Sequence, residues 1–383
     1  MALSGFSVDV MLPAFTVMAD DLNAPVASVQ LTISTFAITF GLSQIVFGPV
    51  SDRFGRKPTL AVGLGIFLIG SIFAAFSSDI SWVLFGRALQ GFGGAAAPVL
   101  GRAIVRDTHS GKNLAGAMAT VMTIFAIGPM VAPIVGYSLM AVTSWRYIFL
   151  AMGVLAFGLS LFNAIRYRET IAAKNLDALN FSAMGKAASS ILGNWQSRYF
   201  MICASIVYCA LFTFVGNSPI IYENEFGVKG LEFSLFFSAT ALGIVFGHEV
   251  NRRLIKVLGV VKMLRLSSLI LLLATICMFI LTFMRALDPW SLTALLFLFN
   301  TSFLSVISNT ASLAMDPHSA HAGLASAIFG CLTSASGAIF LALTADYVDG
   351  SAMNYSTLMV LSTLATFIAL MAFKPAKRQI TIQ

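Results

Sequence analysis

The sequence has few charged residues. Only 10% of its 383 residues are Asp, Glu, Lys or Arg, whereas about 25% is usual in a soluble domain. Hydrophobic residues make up 58% of the chain. This composition excludes an ordinary soluble fold and indicates an all-α integral membrane protein that crosses the bilayer many times.

The sequence also lacks the motifs of nucleotide hydrolysis, disulfide frameworks and metal sites. No Gly-x-x-x-x-Gly-Lys-Ser/Thr tract occurs, which excludes ATP hydrolysis by such a loop. The four cysteines all fall inside apolar runs, where we interpret them as packing residues. The N-terminus lacks the basic region and cleavage site of a removable signal peptide. We therefore expect no enzymatic activity, no cofactor and no metal, and we expect the first apolar run to belong to the fold.

The net charge of +7 does not indicate a nucleic-acid partner. The basic residues lie in short connectors between apolar runs, where they report membrane topology. A tract from Gly91 to Gly94 has the look of a dinucleotide-binding loop, but it lies in an apolar run with no preceding strand. We predict that these glycines serve close helix packing.

Twelve membrane spans are predicted. A span needs about 20 mostly apolar residues. Eleven runs qualify, at residues 22–51, 58–78, 80–101 (interrupted by Arg87), 113–145, 147–165, 199–222, 233–248, 266–284, 289–315, 322–345 and 350–373. The seventh of these is short, and we expect it to continue to about residue 250. Residues 1–19 are apolar apart from Asp9 and predict a further, first span, which we expect to be truncated.

The charges divide the connectors into a basic side and an acidic side. Under the twelve-span topology, 19 of the 23 Lys and Arg residues fall on the basic side, which is therefore expected to be cytoplasmic with both termini on it. The basic-side residues are Arg53, Arg56, Lys57, Arg102, Arg106, Lys112, Arg166, Arg168, Lys174, Lys186, Arg198, Arg252, Arg253, Lys256, Lys262, Arg265, Lys374, Lys377 and Arg378. The acidic-side residues are Asp20, Asp21, Asp79, Glu223, Glu225, Glu232, Asp288, Asp346 and Asp349.

The longest polar connector divides the chain into six spans plus six. The predicted units are an N-terminal half at 1–165, a cytoplasmic linker at 166–198, a C-terminal half at 199–373 and a cytoplasmic tail at 374–383. Residues 247–252 echo residues 48–53 at the corresponding place in the other half. A short amphipathic helix on the membrane surface is predicted within the linker, near residues 183–192. Transporters with two such halves bind substrate near the bilayer midplane and rock the halves around it.

Residues 48–58, GPVSDRFGRKP, follow the second span. Gly48 permits close helix approach and Gly55 a tight turn, while Asp52 and the arginines can cap or pair at helix ends. A loop that only sets topology would explain the charges but not the glycine spacing. The tract resembles the signature loop of the major facilitator superfamily. The resemblance implies 12 transmembrane helices in two pseudo-symmetric six-helix halves, and a cytoplasmic gate made by Gly48, Asp52, Arg53, Gly55, Arg56 and Lys57.

Two charged residues lie inside predicted spans. Asp9 is followed four residues later by Pro13, and a carboxyl group removed from water can exchange a proton near neutral pH. This spacing resembles that of proton-coupled drug exporters in the superfamily. Arg87 resembles the superfamily's fourth-helix arginine, which is associated with proton coupling. The alternatives are a solvated Asp9 at the membrane edge and an Arg87 that extends to the outer interface. We expect Asp9 to carry the proton and Arg87 to regulate it.

The fifth span holds Gly128, Pro129, Pro133 and Gly136. Proline frees helical carbonyls and glycine allows close packing. The tract resembles the antiporter motif of the superfamily, which implies a hinge or seal between the halves, although Tyr137 stands where a second glycine is usual. A purely structural kink is the alternative.

Several further tracts narrow the resemblance to the bicyclomycin-resistance branch of drug:proton antiporters. They lie at residues 29–32, 101–107, 144–149, 216–219 and 247–254. The branch implies a monomer in the bacterial inner membrane that uses the proton gradient to export a small organic solute. Members of the branch are linked to bicyclomycin, chloramphenicol, sulfonamides, small amino acids and siderophores. Alternatives are an importer of a siderophore or nutrient, a channel, and a transport-inactive receptor. From their spans alone, the candidate cavity residues are Gln44, Asn217, Tyr222, Phe236 and Asn300.

Overall fold

The computed structural model describes residues 2–171 and 174–373, which form helices and no strand. The predicted tail at 374–383 lies outside this part of the chain. The α-helices are α1 (Ala2–Asp9), α2 (Phe15–Asp21), α3 (Val26–Phe54), α4 (Arg56–Ala75), α5 (Ile80–Gly94), α6 (Ala96–Thr108), α7 (Gly111–Val142), α8 (Arg146–Ile165), α9 (Phe181–Gly193), α10 (Trp195–Phe226), α11 (Gly230–Leu258), α12 (Val260–Phe283), α13 (Pro289–Met315), α14 (Ala322–Val348) and α15 (Ala352–Ala372). Short 3₁₀ helices occupy Leu12–Ala14, Leu176–Leu179 and Asp316–His321.

The described helices make twelve passes. Ten segments are long and apolar enough to cross a bilayer, the first being Leu3–Asp21. The other two passes are α7 and the pair α5 and α6, which meet at Ala95. The predicted all-helical membrane fold with 12 transmembrane helices is therefore confirmed. Residues 2–165 supply the first six passes and residues 195–373 the last six, and we call these the first and second halves.

The first pass is broken in its middle. Helix α1 ends at Asp9, and a turn and a 3₁₀ helix at Leu12–Ala14 lead into α2. In a continuous α-helix, the N–H of residue 13 would donate to the carbonyl of residue 9, but Pro13 has no N–H. The Asp-x-x-x-Pro spacing thus removes the helical donor to the Asp9 carbonyl and ends α1 at that residue.

Three segments refine the predicted boundaries. Helix α11 continues past the expected end of the apolar run near residue 250, to Leu258; the extension carries Arg252, whose Nη2 lies 2.8 Å from the carboxylate of Glu249. Helix α10 begins at Trp195, inside the predicted linker, because the Asn194 side chain caps it. Helix α9 confirms the helix predicted within the linker.

Small residues bring the helices of the first half together. A Cβ added to Gly93 would lie 2.3 Å from the Gly63 carbonyl oxygen, and one added to Gly91 would lie 2.3 Å from the Phe36 carbonyl oxygen. Helix α5 is therefore in backbone contact with α4 on one side and α3 on the other. This confirms that the glycines of residues 91–94 serve close helix packing.

The two halves meet mainly along two helix pairs, α3 with α14 and α7 with α11. A Cβ added to Gly41 of α3 would lie 3.2 Å from the Cys331 carbonyl oxygen of α14. On the acidic side, the Tyr137 ring of α7 would lie 3.0 Å from a Cβ at Gly230, the first residue of α11. Glycine at these contacts allows the two halves to pack closely.

Large apolar side chains cover the outside of the bundle. Phe76 is 75% exposed, Phe162 63% and Leu343 79%. A soluble protein would not present such a surface. These side chains are placed to contact lipid, and the buried polar side chains instead lie between helices.

Substituting Gly63 by Ala should destabilise the fold. The added Cβ would lie 2.3 Å from the Ala96 Cβ and 3.0 Å from the Gly93 carbonyl oxygen, an overpacking that costs roughly 1–3 kcal/mol. The midpoint of thermal unfolding in detergent, followed by tryptophan fluorescence, should fall by several degrees. The matched control is Gly65→Ala on the same helix, where no described atom lies within 4 Å of the added Cβ. Equal midpoints for the two variants would contradict this packing.

Candidate functional site

Asp9 lies at the break in the first pass. Its side chain is only 6% exposed, and its carboxyl group forms no ion pair or hydrogen bond with any residue that the structure describes. A solvated position at the membrane edge does not fit this burial. The carboxyl group is therefore a buried acid without a partner among the described residues, and its charged form is costly there.

Arg87 is fully buried, so it does not extend to the outer interface. Its Nη1 donates to the Ser7 carbonyl at 3.2 Å and to Gln90 Oε1 at 2.9 Å. Its Nε donates to the Thr32 carbonyl at 3.2 Å, and the guanidinium lies 4.3 Å from the centroid of the Phe36 ring. Arg87 thus joins α5 to α1 and α3 through main-chain oxygens.

Asp9 and Arg87 form no ion pair with one another. The closest connection that the hydrogen bonds establish runs through the Ser7 carbonyl, two residues before Asp9. Arg87 Nη2 has no hydrogen-bond partner among the described residues. In this conformation, Arg87 contacts the backbone that carries Asp9 and leaves the carboxyl group unpaired.

Gly136 of α7 packs directly on the break in the first pass. A Cβ added there would lie 1.9 Å from the Val10 carbonyl oxygen, so only glycine fits this contact. Helix α7 stays continuous through Pro129 and Pro133, and Gly128 and Pro133 are buried. Of the fifth-pass motif, Gly136 therefore contacts the backbone next to Asp9.

The loop between α3 and α4 is built around Arg56. Gly55 takes a φ of +111°, which favours glycine. The Arg56 side chain is 7% exposed; its Nη1 lies 2.5 Å from Asp52 Oδ1 and its Nε lies 3.0 Å from Asp107 Oδ2. Nη1 also donates to Ser51 Oγ at 2.6 Å. These contacts join α3, α4 and α6 into one layer on the basic side.

Glu169 of the linker caps this loop. Its carboxylate accepts the backbone N–H groups of Arg56 at 3.0 Å and Lys57 at 3.1 Å, and two more from its own neighbours in the linker. Partial burial raises the pKa of Glu169, but the four N–H donors outweigh it and hold the pKa below its ordinary value. The Asn175 N–H donates to the Asp52 carbonyl at 3.0 Å. The linker is therefore fastened to the first half.

The remaining residues of the predicted gate have separate surroundings. Lys57 Nζ donates to the Ala164 carbonyl at 2.9 Å, and the Arg53 guanidinium lies 5.7 Å from the Phe54 ring centroid, with no ion pair to a described residue. The close helix approach expected at Gly48 is absent, because no described atom lies within 4 Å of a Cβ there. Gly48 instead borders a cavity of about 280 Å³ between α3, α6 and α14, on the basic side.

The five candidate cavity residues do not form one site. Gln44 lines the basic-side cavity, and its Oε1 would lie 2.5 Å from a Cβ at Gly330 of α14. Asn217 lies at another contact between the halves, where its Oδ1 accepts from Gln30 Nε2 at 3.0 Å. Both residues therefore lie between the halves, but at different contacts.

The other candidate cavity residues lie within the second half. The rings of Tyr222 and Phe236 stack with centroids 5.8 Å apart, and the Tyr222 hydroxyl lies 2.7 Å from Thr293 Oγ1. Asn300 Nδ2 donates to the Thr240 carbonyl at 3.0 Å and joins α13 to α11. The structure brings Tyr222 and Phe236 together, whereas Asn300 serves a separate helix contact.

Three residues of these networks were missed by sequence reasoning. Asp107 and Gln30 lie in tracts used only for the family resemblance, and Glu169 is an acidic residue in a largely basic connector. An unexpected acid beside the arginines of a loop is a usable signal for a cap or ion pair. Nothing in the sequence indicates that Gln30 meets Asn217, 187 positions away.

The broken first pass, the buried acid and the two packed six-pass halves define a membrane transporter. The sequence model of the Major Facilitator Superfamily matches residues 1–342, and the chain belongs to this family. It is 31% identical over 384 residues to a bicyclomycin resistance protein homolog of Haemophilus influenzae, covering 95% of this chain and 92% of that protein. It is 25% identical over 370 residues to multidrug resistance protein D of Escherichia coli, covering 95% and 91%.

The fold also matches solved transporters. A peptide transporter in complex with alafosfalin superposes with a TM-score of 0.76 over 97% of this chain and 90% of that chain. The sequences are only 14% identical, so the match supports the shared fold alone. As a member of this transporter family, the protein is a multi-pass membrane protein whose substrate is a small molecule.

Replacing Glu169 by Ala should weaken the fold in a pH-dependent way. The lost cap is worth about 1 kcal/mol, and solvent screening keeps it near that value because Glu169 is exposed. The folded-state pKa lies below the unfolded value of about 4.3, so the contribution is complete above that pH and is lost as pH falls through the folded-state pKa.

The measurement compares thermal midpoints of wild type and Glu169→Ala in detergent across a pH series. The difference should be largest near neutral pH and shrink below about pH 4.3. Glu223→Ala is the control, since the Glu223 carboxylate forms no ion pair with a described residue. A pH-independent difference would rule out the carboxylate cap.

Proposed function

We propose that the protein exports small organic solutes from the bacterial cytoplasm by proton-coupled alternating access, in the inner membrane. The observation that carries the proposal is the buried, unpaired carboxyl group of Asp9 at a break in a transmembrane pass. Intramembrane acids are costly and are a feature of proton pathways. The names of the bicyclomycin- and multidrug-resistance relatives support drugs as substrates.

Asp9 is the proton carrier. In its neutral form the carboxyl group is tolerated in the apolar interior, and its ionised form requires water or a cation. Loss of the proton therefore favours a conformation in which Asp9 is hydrated or paired, and uptake of the proton favours the buried one. This difference between the two states is what couples a proton gradient to a conformational equilibrium.

Arg87 is a positioning residue in this scheme. It contacts the Ser7 and Thr32 carbonyls and not the Asp9 carboxyl group, so it acts through the backbone of α1. Its unpartnered Nη2 is a donor that becomes available to the ionised carboxylate if α1 shifts. The Gly136 contact with Val10 makes α7 sensitive to the same shift.

The basic side is the cytoplasmic side in this proposal, with both termini on it, because Lys and Arg accumulate in cytoplasmic connectors. The cavity between α3, α6 and α14 opens there and is the route by which a solute enters from the cytoplasm. The loop around Arg56 borders the same cavity and is the cytoplasmic gate. The protein works as a monomer.

Transport by Asp9→Asn tests the proton carrier. Purified protein is reconstituted in liposomes, a pH gradient is imposed, and movement of labelled bicyclomycin and chloramphenicol is followed. Wild type should move solute against its gradient, and Asp9→Asn should fall to the rate of empty liposomes because an amide cannot carry the proton. Asp79→Asn is the control: Asp79 caps α5 through Ser81 N at 2.9 Å, and Asn caps a helix equally well.

The other outcomes separate the rival functions. Solute movement in the same direction as the protons would identify an importer. Non-saturating flux would identify a channel, and saturable binding without movement a receptor. Gradient-driven transport that Asp9→Asn leaves unchanged would remove Asp9 from the mechanism.

A further inference from the structure

We propose that Gln30 and Asn217 form a lock between the two halves on the acidic side, which holds that side closed and breaks whenever it opens. The inference rests on the alternating access proposed above. Its consequence is that two neutral amides, and not an ion pair, set the balance between the closed and open acidic side.

Both residues are buried, and their side chains bridge the halves. Gln30 is 2% exposed and Asn217 1%. Gln30 Nε2 donates to Asn217 Oδ1 at 3.0 Å and to the Gly216 carbonyl at 3.1 Å. The two N–H groups of the Gln30 amide are therefore both used on α10.

The orientation of the Asn217 amide is fixed by a third hydrogen bond. Asn217 Nδ2 donates to the Thr213 carbonyl at 2.9 Å, which turns Oδ1 toward Gln30. Helix α10 is also closely packed on α14 at this level, because a Cβ added to Gly216 would lie 2.5 Å from Leu341 Cδ2. A buried network of hydrogen-bonded amides favours one arrangement of the helices that carry it.

The bridge lies on one side of the midplane, and the cavity lies on the other. Gln30 is in the second turn of α3, near its acidic-side end, and Gln44 of the same helix lines the basic-side cavity. Fourteen residues of helix separate them, or about 21 Å. The halves are thus joined by hydrogen bonds at one level and parted by a cavity at the other, which is the geometry that rocking halves require.

Hydrogen bonds of this kind suit a lock that opens repeatedly. Each of the five ion pairs among the described residues joins two residues of the same half, so none of them bridges the halves. Breaking a buried ion pair leaves costly charges, whereas an amide exposed by opening exchanges its partner for water. Each neutral hydrogen bond shifts such an equilibrium by about 5-fold.

The test measures the opening of the acidic side directly. Spin labels are placed at Ser78 and Ala286, exposed residues in the α4–α5 and α12–α13 connectors of opposite halves. The four native cysteines are first replaced by Ala, and the distance distribution is recorded by pulsed electron paramagnetic resonance in nanodiscs. Gln30→Leu removes both bridging bonds, so the ratio of long to short distances should rise by about 5-fold to 25-fold.

Two variants serve as comparisons. Gln196→Leu is the matched control, because Gln196 Nε2 also donates to a carbonyl, Leu313 O at 2.9 Å, but within the second half; it should leave the distribution unchanged. The exchange Gln30→Asn with Asn217→Gln keeps the donor, the acceptor and the summed side-chain length, and should restore most of the short-distance population.

Asn217→Ala provides a second test of the lock if the Gln30→Leu variant does not fold. It removes one bridging bond and keeps the bond to the Gly216 carbonyl, so the expected shift is about 5-fold. A distribution identical to wild type in every folded variant at positions 30 and 217 would overturn the lock, as would an equal shift in Gln196→Leu.

The distances are recorded without substrate or proton gradient, so they do not depend on the proposed transport activity. If the spin-label distances shift in Gln30→Leu but wild-type liposomes show no transport, the lock is supported and the proposed export activity is contradicted. If the liposomes show Asp9-dependent transport but the spin-label distances do not shift, the exporter is supported and the lock is overturned.

Discussion

A main-chain carbonyl in a hydrocarbon environment needs a hydrogen-bond donor, and the break in the first pass puts this requirement beside Asp9. Pro13 withdraws the helical donor of the Asp9 carbonyl. Arg87 supplies N–H groups to the neighbouring Ser7 and Thr32 carbonyls, and Gly136 allows α7 to cover the Val10 carbonyl. Asp9, Arg87 and Gly136, which were predicted from three separate motifs, therefore meet at one irregular stretch of backbone.

The basic side has a different organisation. Arg56 binds two carboxylates, and a third carboxylate, from Glu169, binds the N–H groups at the start of α4. All of these contacts lie within the first half and its linker, so the predicted gate is one rigid layer and not a bond across to the second half. The contact with the second half is left to the small residues along α3 and α14, which can slide without breaking an ion pair.

The sequence predicted the membrane class, the twelve passes, the helix in the linker and the packing role of the glycines at 91–94, because each depends on local composition and periodicity. It did not predict that Arg87 contacts backbone oxygens and leaves Asp9 unpaired. The roles of Asp9 and Arg87 in proton coupling stay predictions. The Gln30–Asn217 contact was also out of reach, because its partners are far apart in the chain and no local pattern specifies their meeting.

The described part of the linker is attached partly to the first half and partly to the second. Asn175 is bound to Asp52, and the 3₁₀ helix Leu176–Leu179 packs on α3, whereas α9 packs on α10 and α14 of the second half. Asn180, which caps α9, stands between these two anchored segments. The described linker therefore passes from contacts with the first half to contacts with the second at Asn180, and a rotation between the halves would be concentrated in the backbone of that residue.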